Sequence, residues 1–321
     1  MNLKVEIDNK KEIGQNLKVE IIIPTLNEEG AIKKLLQSIQ ANTLPVEISV
    51  LVIDGGSTDH TVDVCKREKV RVIRQKSRGK GNAMREAAEY SSADVLVFID
   101  GDRAYSINDL GSLLEPIFTD KADMVVGSRI LGRREKGSIS TLNMLGNKLF
   151  NKTINFAVHS ELTDSLSGYR AMRKRIFDEL ILFSFNFEIE VEITVETLAK
   201  GYRVYEVPIK YGTRKGTPTK LNPINDGVKI ARTLIFILMN VNPLKFFGII
   251  SLCFFIAGLY PAIYVVEEKI HTGEIVAMPS VVFASLLFVT GTLSLVIGLV
   301  SELIVRSRRR LEYLINKKSK I

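Results

Sequence analysis

The chain has 321 residues, enough for one large domain or one domain with an appendage. Its net charge of +8 invites a nucleic-acid reading, yet no basic face interleaved with aromatic residues appears, and tryptophan is absent. Two cysteines and three scattered histidines exclude a disulfide scaffold and a histidine-built metal cluster.

Residues 1–17 are polar and charged, read as a mobile tail, and do not resemble a signal peptide. Val19 to Ile23 predicts a strand that stops at Pro24. Pro24-Thr25-Leu26-Asn27-Glu28-Glu29-Gly30 then leads into an amphipathic helix with the apolar stripe Ile32, Leu35, Leu36 and Ile39. A second strand, Ile48 to Ile53, ends in Asp54-Gly55-Gly56-Ser57-Thr58-Asp59, where Ser57 or Thr58 is placed to cap the next helix. A short strand, Val70 to Arg74, precedes Gly79-Lys80-Gly81-Asn82-Ala83 and another helix. Glycines with a lysine at a helix N-terminus suit a phosphate, because free N–H groups point outward there; a plain turn fits the same residues.

Val95 to Ile99 is an unbroken apolar run that ends at once in Asp100-Gly101-Asp102. It reads as a fully buried parallel strand whose C-terminal end opens onto a crevice, the place where open α/β sheets bind ligands. Two carboxylates there suit Mg²⁺ or Mn²⁺ carrying a diphosphate, and Gly101 admits close approach; a solvated Asp-Gly-Asp turn is the alternative. A helix from Asn108 to Phe118 and a strand from Asp123 to Val126 follow. Strand, loop and helix thus alternate through this half, which argues a mostly parallel sheet with right-handed crossovers. The G-x-G-x-x-G fingerprint does not follow the first strand, which disfavours a nicotinamide enzyme.

Gly127-Ser128-Arg129 closes the last parallel strand and sets a guanidinium beside the crevice. Residues 130–163 are basic and moderately helical, and Asp164 to Arg170 reads as a polar turn. Glu188 to Lys200 is ambiguous: Glu188, Glu190 and Glu192 alternate with apolar residues as in a strand, whereas the flanks favour a helix ending at Gly201. Arg203 to Tyr211 predicts a strand, and Gly212 to Leu221, with Arg214, Lys215 and Lys220, a mobile cationic loop. Residues 223–242 show helical spacing that fits either an interfacial amphipathic helix or a core-packed one.

Phe246 to Val266 and Ile275 to Ser301 carry no charge, and each exceeds the roughly 20 apolar residues a bilayer span needs. Residues 243–305 therefore read as two transmembrane helices, about 245–266 and 277–303, with a buried core hairpin as the alternative. The segment 306–321 is basic and the connector Glu267 to Pro279 acidic, which places the tail and the N-terminal domain in the cytoplasm at the cell membrane, a multi-pass arrangement.

The ordered set Pro24 to Glu28, Asp54 to Asp59, Asp100-Gly101-Asp102, Gly127-Ser128-Arg129, Asp164 to Arg170, and Arg214 with Lys220 resembles family 2 glycosyltransferases of the GT-A fold. More narrowly it resembles the polyprenyl- and dolichyl-phosphate sugar synthases, with residues 18–222 as the catalytic domain. The resemblance implies an inverting hexosyltransferase that moves a sugar from a nucleotide-sugar donor to a polyprenyl (dolichyl) phosphate. By it Pro24, Asn27, Glu28, Asp54, Gly55 and Lys80 hold the donor, with Gly101 close by, and Asp100 and Asp102 carry Mg²⁺ or Mn²⁺ on the diphosphate. Arg129, Arg214 and Lys220 contact the donor diphosphate and the acceptor phosphate, and Asp164 lies on the acceptor side; Asp102, Arg129 and Asp164 form the catalytic set.

The sequence departs from the family pattern at Gly55, where a second acidic residue is usual, at Leu26, where tyrosine is usual, and at Ala104, where mannose synthases often carry a third metal ligand. These residues lean toward UDP-glucose or UDP-N-acetylglucosamine, with a GDP-mannose synthase or transfer to another membrane sugar acceptor as alternatives. A processive synthase would carry a Q-x-x-R-W motif, which is missing; a membrane-tethered nucleotide-sugar sensor would bind donor without product. The bilayer is an expected partner, nucleic acid is not, and a homo-oligomer stays open.

Overall fold

A computed structural model describes residues 17–135, 138, 141–186, 188–213, 232, 235, 236, 238, 239 and 242–318. The chain divides into two compact units, Met1–Ile230 and Ala231–Ile321.

The first unit is an α/β domain built on β1 (Val19–Thr25), β2 (Ile48–Asp54), β3 (Arg71–Arg74), β4 (Val95–Phe98), β5 (Met124–Ser128), β6 (Arg170–Arg173) and β7 (Val204–Pro208). They form one sheet in the order β3-β2-β1-β4-β6-β5-β7. β1 pairs in parallel with β2 and β4, β2 with β3, and β5 with β7. β6 lies between β4 and β5 and runs antiparallel to both. The sheet is mostly parallel, as expected, and β6 is its antiparallel member; only its first residue, Arg170, falls in the stretch that reads as a polar turn.

Helices α1 (Glu29–Gln40), α2 (Thr61–Arg67), α3 (Lys80–Tyr90), α4 (Leu110–Phe118), α5 (Thr141–Val158), α6 (Lys174–Phe177) and α7 (Ile189–Ala199) complete the unit. A 3₁₀ turn, Ile107–Asp109, precedes α4 and replaces the first turn of the helix expected from Asn108. Side chains of a strand alternate between faces. Ile21 and Ile23 of β1 accordingly join a cluster with Ile32, Leu36, Leu113 and Ile117, whereas Ile22 joins Met84, Ala87, Ile189 and Ile193 on the other face. Helices on both faces explain why β1 and β4 are apolar without alternation. Each fully buried aliphatic residue contributes about 1.5–3 kcal/mol.

α7 resolves the ambiguous stretch as the helix its flanks favour; Glu190 and Glu192 are buried along with Ile189, Val191 and Ile193, so its pattern is not amphipathic. The strand expected over Arg203–Tyr211 is shorter, and Tyr211 makes only isolated bridges to Tyr105 and Arg134. The expected interfacial helix and the cationic loop, Arg214 and Lys220 included, lie almost wholly outside the described residues.

The second unit contains α8 (Pro243–Thr272) and α9 (Met278–Lys318). Both are long and apolar enough to cross a membrane. Their large apolar side chains are mostly exposed, Ile256, Ile263 and Leu303 among them, which is the reverse of a soluble core hairpin. They pack on each other through small residues: a Cβ on Gly258 would meet Phe288 at 3.2 Å and one on Gly298 would meet Phe247 at 2.9 Å. Both helices outrun the expected spans. α8 takes in Glu267–Thr272, and α9 continues through the basic segment to Lys318, where a separate tail had been expected.

Candidate active site

The loops that leave β1, β2 and β4 meet at one edge of the sheet. A Cβ on Gly55 would lie 3.2 Å from the Thr25 carbonyl oxygen, and one on Gly101 would lie 3.1 Å from Thr25 Cγ2 and 3.7 Å from Glu28. Only small residues at 55 and 101 let these turns close together. Pro24 is the penultimate residue of β1, and Asn27, just past its end, holds a left-handed backbone at φ 57°.

Hydrogen bonds lock the two donor-side loops to each other. Asn27 N–H donates to Ser57 Oγ at 2.9 Å, Asn27 Oδ1 accepts from Thr58 N–H at 2.8 Å, and Glu28 N–H donates to Thr61 Oγ1 at 2.9 Å. The Asp54 carboxylate is buried and accepts the N–H groups of Gly56 and Ser57. Ser57 therefore serves Asn27 instead of capping α2. Asp59 takes the cap-like role, accepting from Thr61 N–H at 3.0 Å and Glu29 N–H at 3.2 Å. Burial pushes the Asp59 carboxyl up, but the bonds from Thr61 and Glu29 outweigh it and hold its pKa below the usual range.

Asp100 and Asp102 follow β4. Asp102 is buried, with Oδ1 accepting Ala104 N–H at 3.0 Å. Asp100 Oδ1 accepts from the Lys80 ammonium, and Gly168 packs against its carboxylate so closely that a Cβ there would sit 2.8 Å from Oδ2. The antiparallel β6 makes this meeting possible, since its leading loop arrives at the edge where β4 ends. Gly168 N–H also donates to Tyr105 Oη at 2.9 Å.

One N–H of the Gly79-Lys80-Gly81 segment is already engaged. Gly81 N–H donates to the Phe185 carbonyl at 2.8 Å, and Cβ atoms on Gly79 and Gly81 would fall 2.2 Å from the carbonyl oxygens of Phe185 and Ser184. The glycines admit the 183–186 loop, which fits the plain turn that the same residues allowed. That loop is held in turn by Glu192, whose carboxylate accepts Phe183 and Ser184 N–H, each at 2.8 Å. Lys80 reaches the site through its side chain: its ammonium bridges Asp100 and Glu190, the latter at 2.5 Å. Burial alone would lower its pKa, but the two carboxylates raise it well above the usual lysine value, and the group stays charged.

On the β5 side, Arg129 grips Asp164 bidentately, Nε to Oδ2 and Nη2 to Oδ1 at 2.7 Å each, while Arg129 N–H adds a bond at 2.9 Å. Asp164 is fully buried, and the guanidinium lies 5.3 Å from the Tyr211 ring centroid. Glu206 of β7 accepts the N–H groups of Thr163 and Asp164 at 2.7 Å each. Buried Arg170, which sequence reasoning left inside a turn, donates to the carbonyls of Ser165, Ser167 and Glu190 and to Thr194 Oγ1. It fixes the 164–168 loop.

A cavity of about 460 Å³ is lined by Arg103, Tyr105, Arg133, Arg134, Lys210 and Tyr211 among others; Asp54, Lys80, Asp100, Asp102 and Arg129 do not line it. The structure thus brings Pro24, Asn27, Glu28, Asp54, Gly55, Lys80, Asp100, Gly101 and Asp102 to one edge. Arg129 and Asp164 form a buried pair at the ends of β5 and the β6 loop.

The Asp100–Asp102 donor set fits a hard divalent cation in kind. Among the described residues no group of three histidines, cysteines or acids gathers, so water and diphosphate oxygens would have to complete the shell.

The sequence profile described as "Glycosyl transferase family 2" matches residues 20–181. The chain belongs to this family. Within glycosyltransferase family 2, it is 35% identical over 294 residues to glycosyltransferase AglJ of Haloferax volcanii, covering 90% of this chain and 94% of that one. A dolichyl-phosphate hexose transferase of the same organism is 31% identical over 215 residues, 67% of this chain and 91% of the relative. Within the family the chain is thus similar to a dolichyl-phosphate sugar transferase. Its fold is GT-A: glucosyl-3-phosphoglycerate synthase of Mycobacterium tuberculosis, solved with Mn²⁺ and UDP-glucose, superposes with a TM-score of 0.57 at 20% identity, over 72% of this chain and 82% of that one.

Proposed function

We propose that this family 2 glycosyltransferase moves a hexose, with inversion, from a nucleotide-sugar donor to a polyprenyl or dolichyl phosphate at the cytoplasmic face of the membrane. The observation that carries the reading is the convergence of Asp54, Asp100, Asp102 and Lys80 at one sheet edge, with a cavity carrying Arg103, Arg133, Arg134 and Lys210 whose lining begins at the residue after Asp102. A leaving diphosphate and an attacking phosphate are both anions, and such a surface suits both.

Asn27, Glu28 and Asp54, tied together across the β1 and β2 loops, form the floor for the nucleotide. Asp100 and Asp102 would hold Mg²⁺ or Mn²⁺, which when bound offsets charge on the departing diphosphate. Lys80 adds a fixed positive charge on the donor side. Arg129, clamped by Asp164, presents the acceptor side, and by the family resemblance Arg214 and Lys220 join it. A phosphate monoester, with a second pKa of about 6, is already largely anionic at neutral pH and needs positioning instead of a general base. The donor leans to UDP-glucose or UDP-N-acetylglucosamine because Asp54-Gly55-Gly56-Ser57 and Asp100-Gly101-Asp102, with Tyr105 close behind, resemble the members that use such donors, and Ala104 stands where mannose synthases often carry a third metal ligand. α8 and α9 cross the bilayer, supported by their apolar, exposed surfaces and the basic end of α9.

The test is incubation of membranes carrying the protein with a panel of labelled nucleotide sugars and polyprenyl phosphate, with and without chelator. A chelator-sensitive, organic-extractable product from one donor is expected. Donor binding without any lipid-linked product would overturn the proposal.

A further inference from the structure

The Lys80 ammonium does more than counter one carboxylate. It sits on Asp100, a proposed metal ligand, and simultaneously on Glu190 Oε1 at 2.5 Å, with its side chain 11% exposed and that of Glu190 only 4%. A cation on Asp100 competes with any divalent ion for the same oxygen. Glu190 has a second oxygen, Oε2, buried without a hydrogen-bond partner. Arg170, the other cation beside Glu190, spends its N–H groups on the carbonyls of Ser165, Ser167 and Glu190 and on Thr194 Oγ1. The unfilled acceptor is thus open to Lys80, whose backbone is fixed by the Gly81–Phe185 bond and the tight seat of Gly79 and Gly81.

We infer that Glu190 is a positioning residue that takes over the Lys80 ammonium when a divalent cation engages Asp100. The lysine keeps Asp100 neutralised while the site lacks metal, and moves by rotation of its side chain onto both Glu190 oxygens when the ion arrives. Glu190 does not touch the metal; it sets the metal's affinity by deciding where a competing charge rests. The inference builds on the assignment of Asp100 and Asp102 as metal-holding residues.

The test is Mn²⁺ binding to the full-length protein in detergent, without donor, read from the electron paramagnetic resonance signal of free Mn²⁺. Glu190→Gln confines the ammonium to Asp100 and is expected to weaken Mn²⁺ binding about 10–100-fold, the range for residues that orient metal ligands. Lys80→Met removes the competitor and is expected to tighten binding. The double variant Lys80→Met/Glu190→Gln is expected to recover the affinity that Glu190→Gln loses, a rescue that damage to folding would not give. Unchanged Mn²⁺ affinity in Glu190→Gln, or a double variant as weak as the single, would overturn the inference alone. A wild-type protein that binds no Mn²⁺ would overturn the metal assignment, and this inference with it.

Discussion

Replacing Gly81 with alanine separates two accounts of the Gly79-Lys80-Gly81 segment. Were its N–H groups a phosphate cradle, alanine would keep them and add about 0.8–1 kcal/mol of helix propensity. In the structure the new methyl carbon would stand 2.2 Å from the Ser184 carbonyl oxygen. An ordinary contact needs roughly 3.5–4 Å. The obstacle is backbone, held by Glu192, and cannot swing aside as a side chain would. Overpacking of this kind costs about 1–3 kcal/mol, and disturbing the Gly81–Phe185 hydrogen bond adds about 1 kcal/mol. The clash outweighs the propensity, leaving a net loss of about 2 kcal/mol, or about 4–8 °C in Tm for a unit of this size. Cys65 is fully buried in the catalytic unit. In a Cys253→Ser background its reaction with a thiol-reactive dye on heating reports unfolding of that unit. A Gly81→Ala protein melting at or above the parent temperature would refute the packing account.

Asp102→Asn should slow formation of lipid-linked sugar by about 10²-fold or more, measured as extractable label, since it removes charge from the proposed cation clamp. Asp164→Asn should cost about 3–5 kcal/mol of stability by stripping charge from the buried partner of Arg129. Arg129→Lys should fall well short of wild type in the same melting assay, because an ammonium cannot reproduce the two parallel bonds. For pH, Asp123 is informative: burial raises its pKa, but bonds and charge from Arg203 and Arg173 outweigh that and hold it below the usual carboxylate range. The unfolded chain then binds the proton more tightly, so the stabilisation is complete above the ordinary carboxylate pKa of about 3.9 and fades as pH falls through the native value. Tm of Asp123→Asn should accordingly lie below that of the parent near neutrality and converge with it in acid; parallel curves would contradict this.

The donor half was readable because its physics is local. β4, Ile21–Ile23 of β1 and Leu51–Ile53 of β2 are buried on both faces and so appear as apolar runs, and each strand delivers polar residues at its C-terminal end. The acceptor half was not, because there burial is carried by polar residues. Arg170 looked like the end of a turn, yet it is fully buried, and two of the groups that satisfy it, the Glu190 carbonyl and Thr194 Oγ1, lie on a helix that no short sequence window places beside it. Glu190 and Glu192 made their helix ambiguous, since each is a buried charge with a partner, the distant Lys80 in one case and the nearby 183–184 backbone in the other. Gly79 and Gly81 were seen, but their purpose lay in a loop about a hundred residues downstream.

Because β6 runs against β4 and β5, the stretch from Arg129 to Arg170 departs from one rim of the sheet and returns to the same rim. It never has to travel to the opposite side, as a parallel crossover must. Its length and composition are thereby uncoupled from strand register, and the segment behaves as a cassette. Exchanging residues 133–162 among relatives offers a route to altered acceptors in which every β-ladder, and the nucleotide floor built on it, stays as it is.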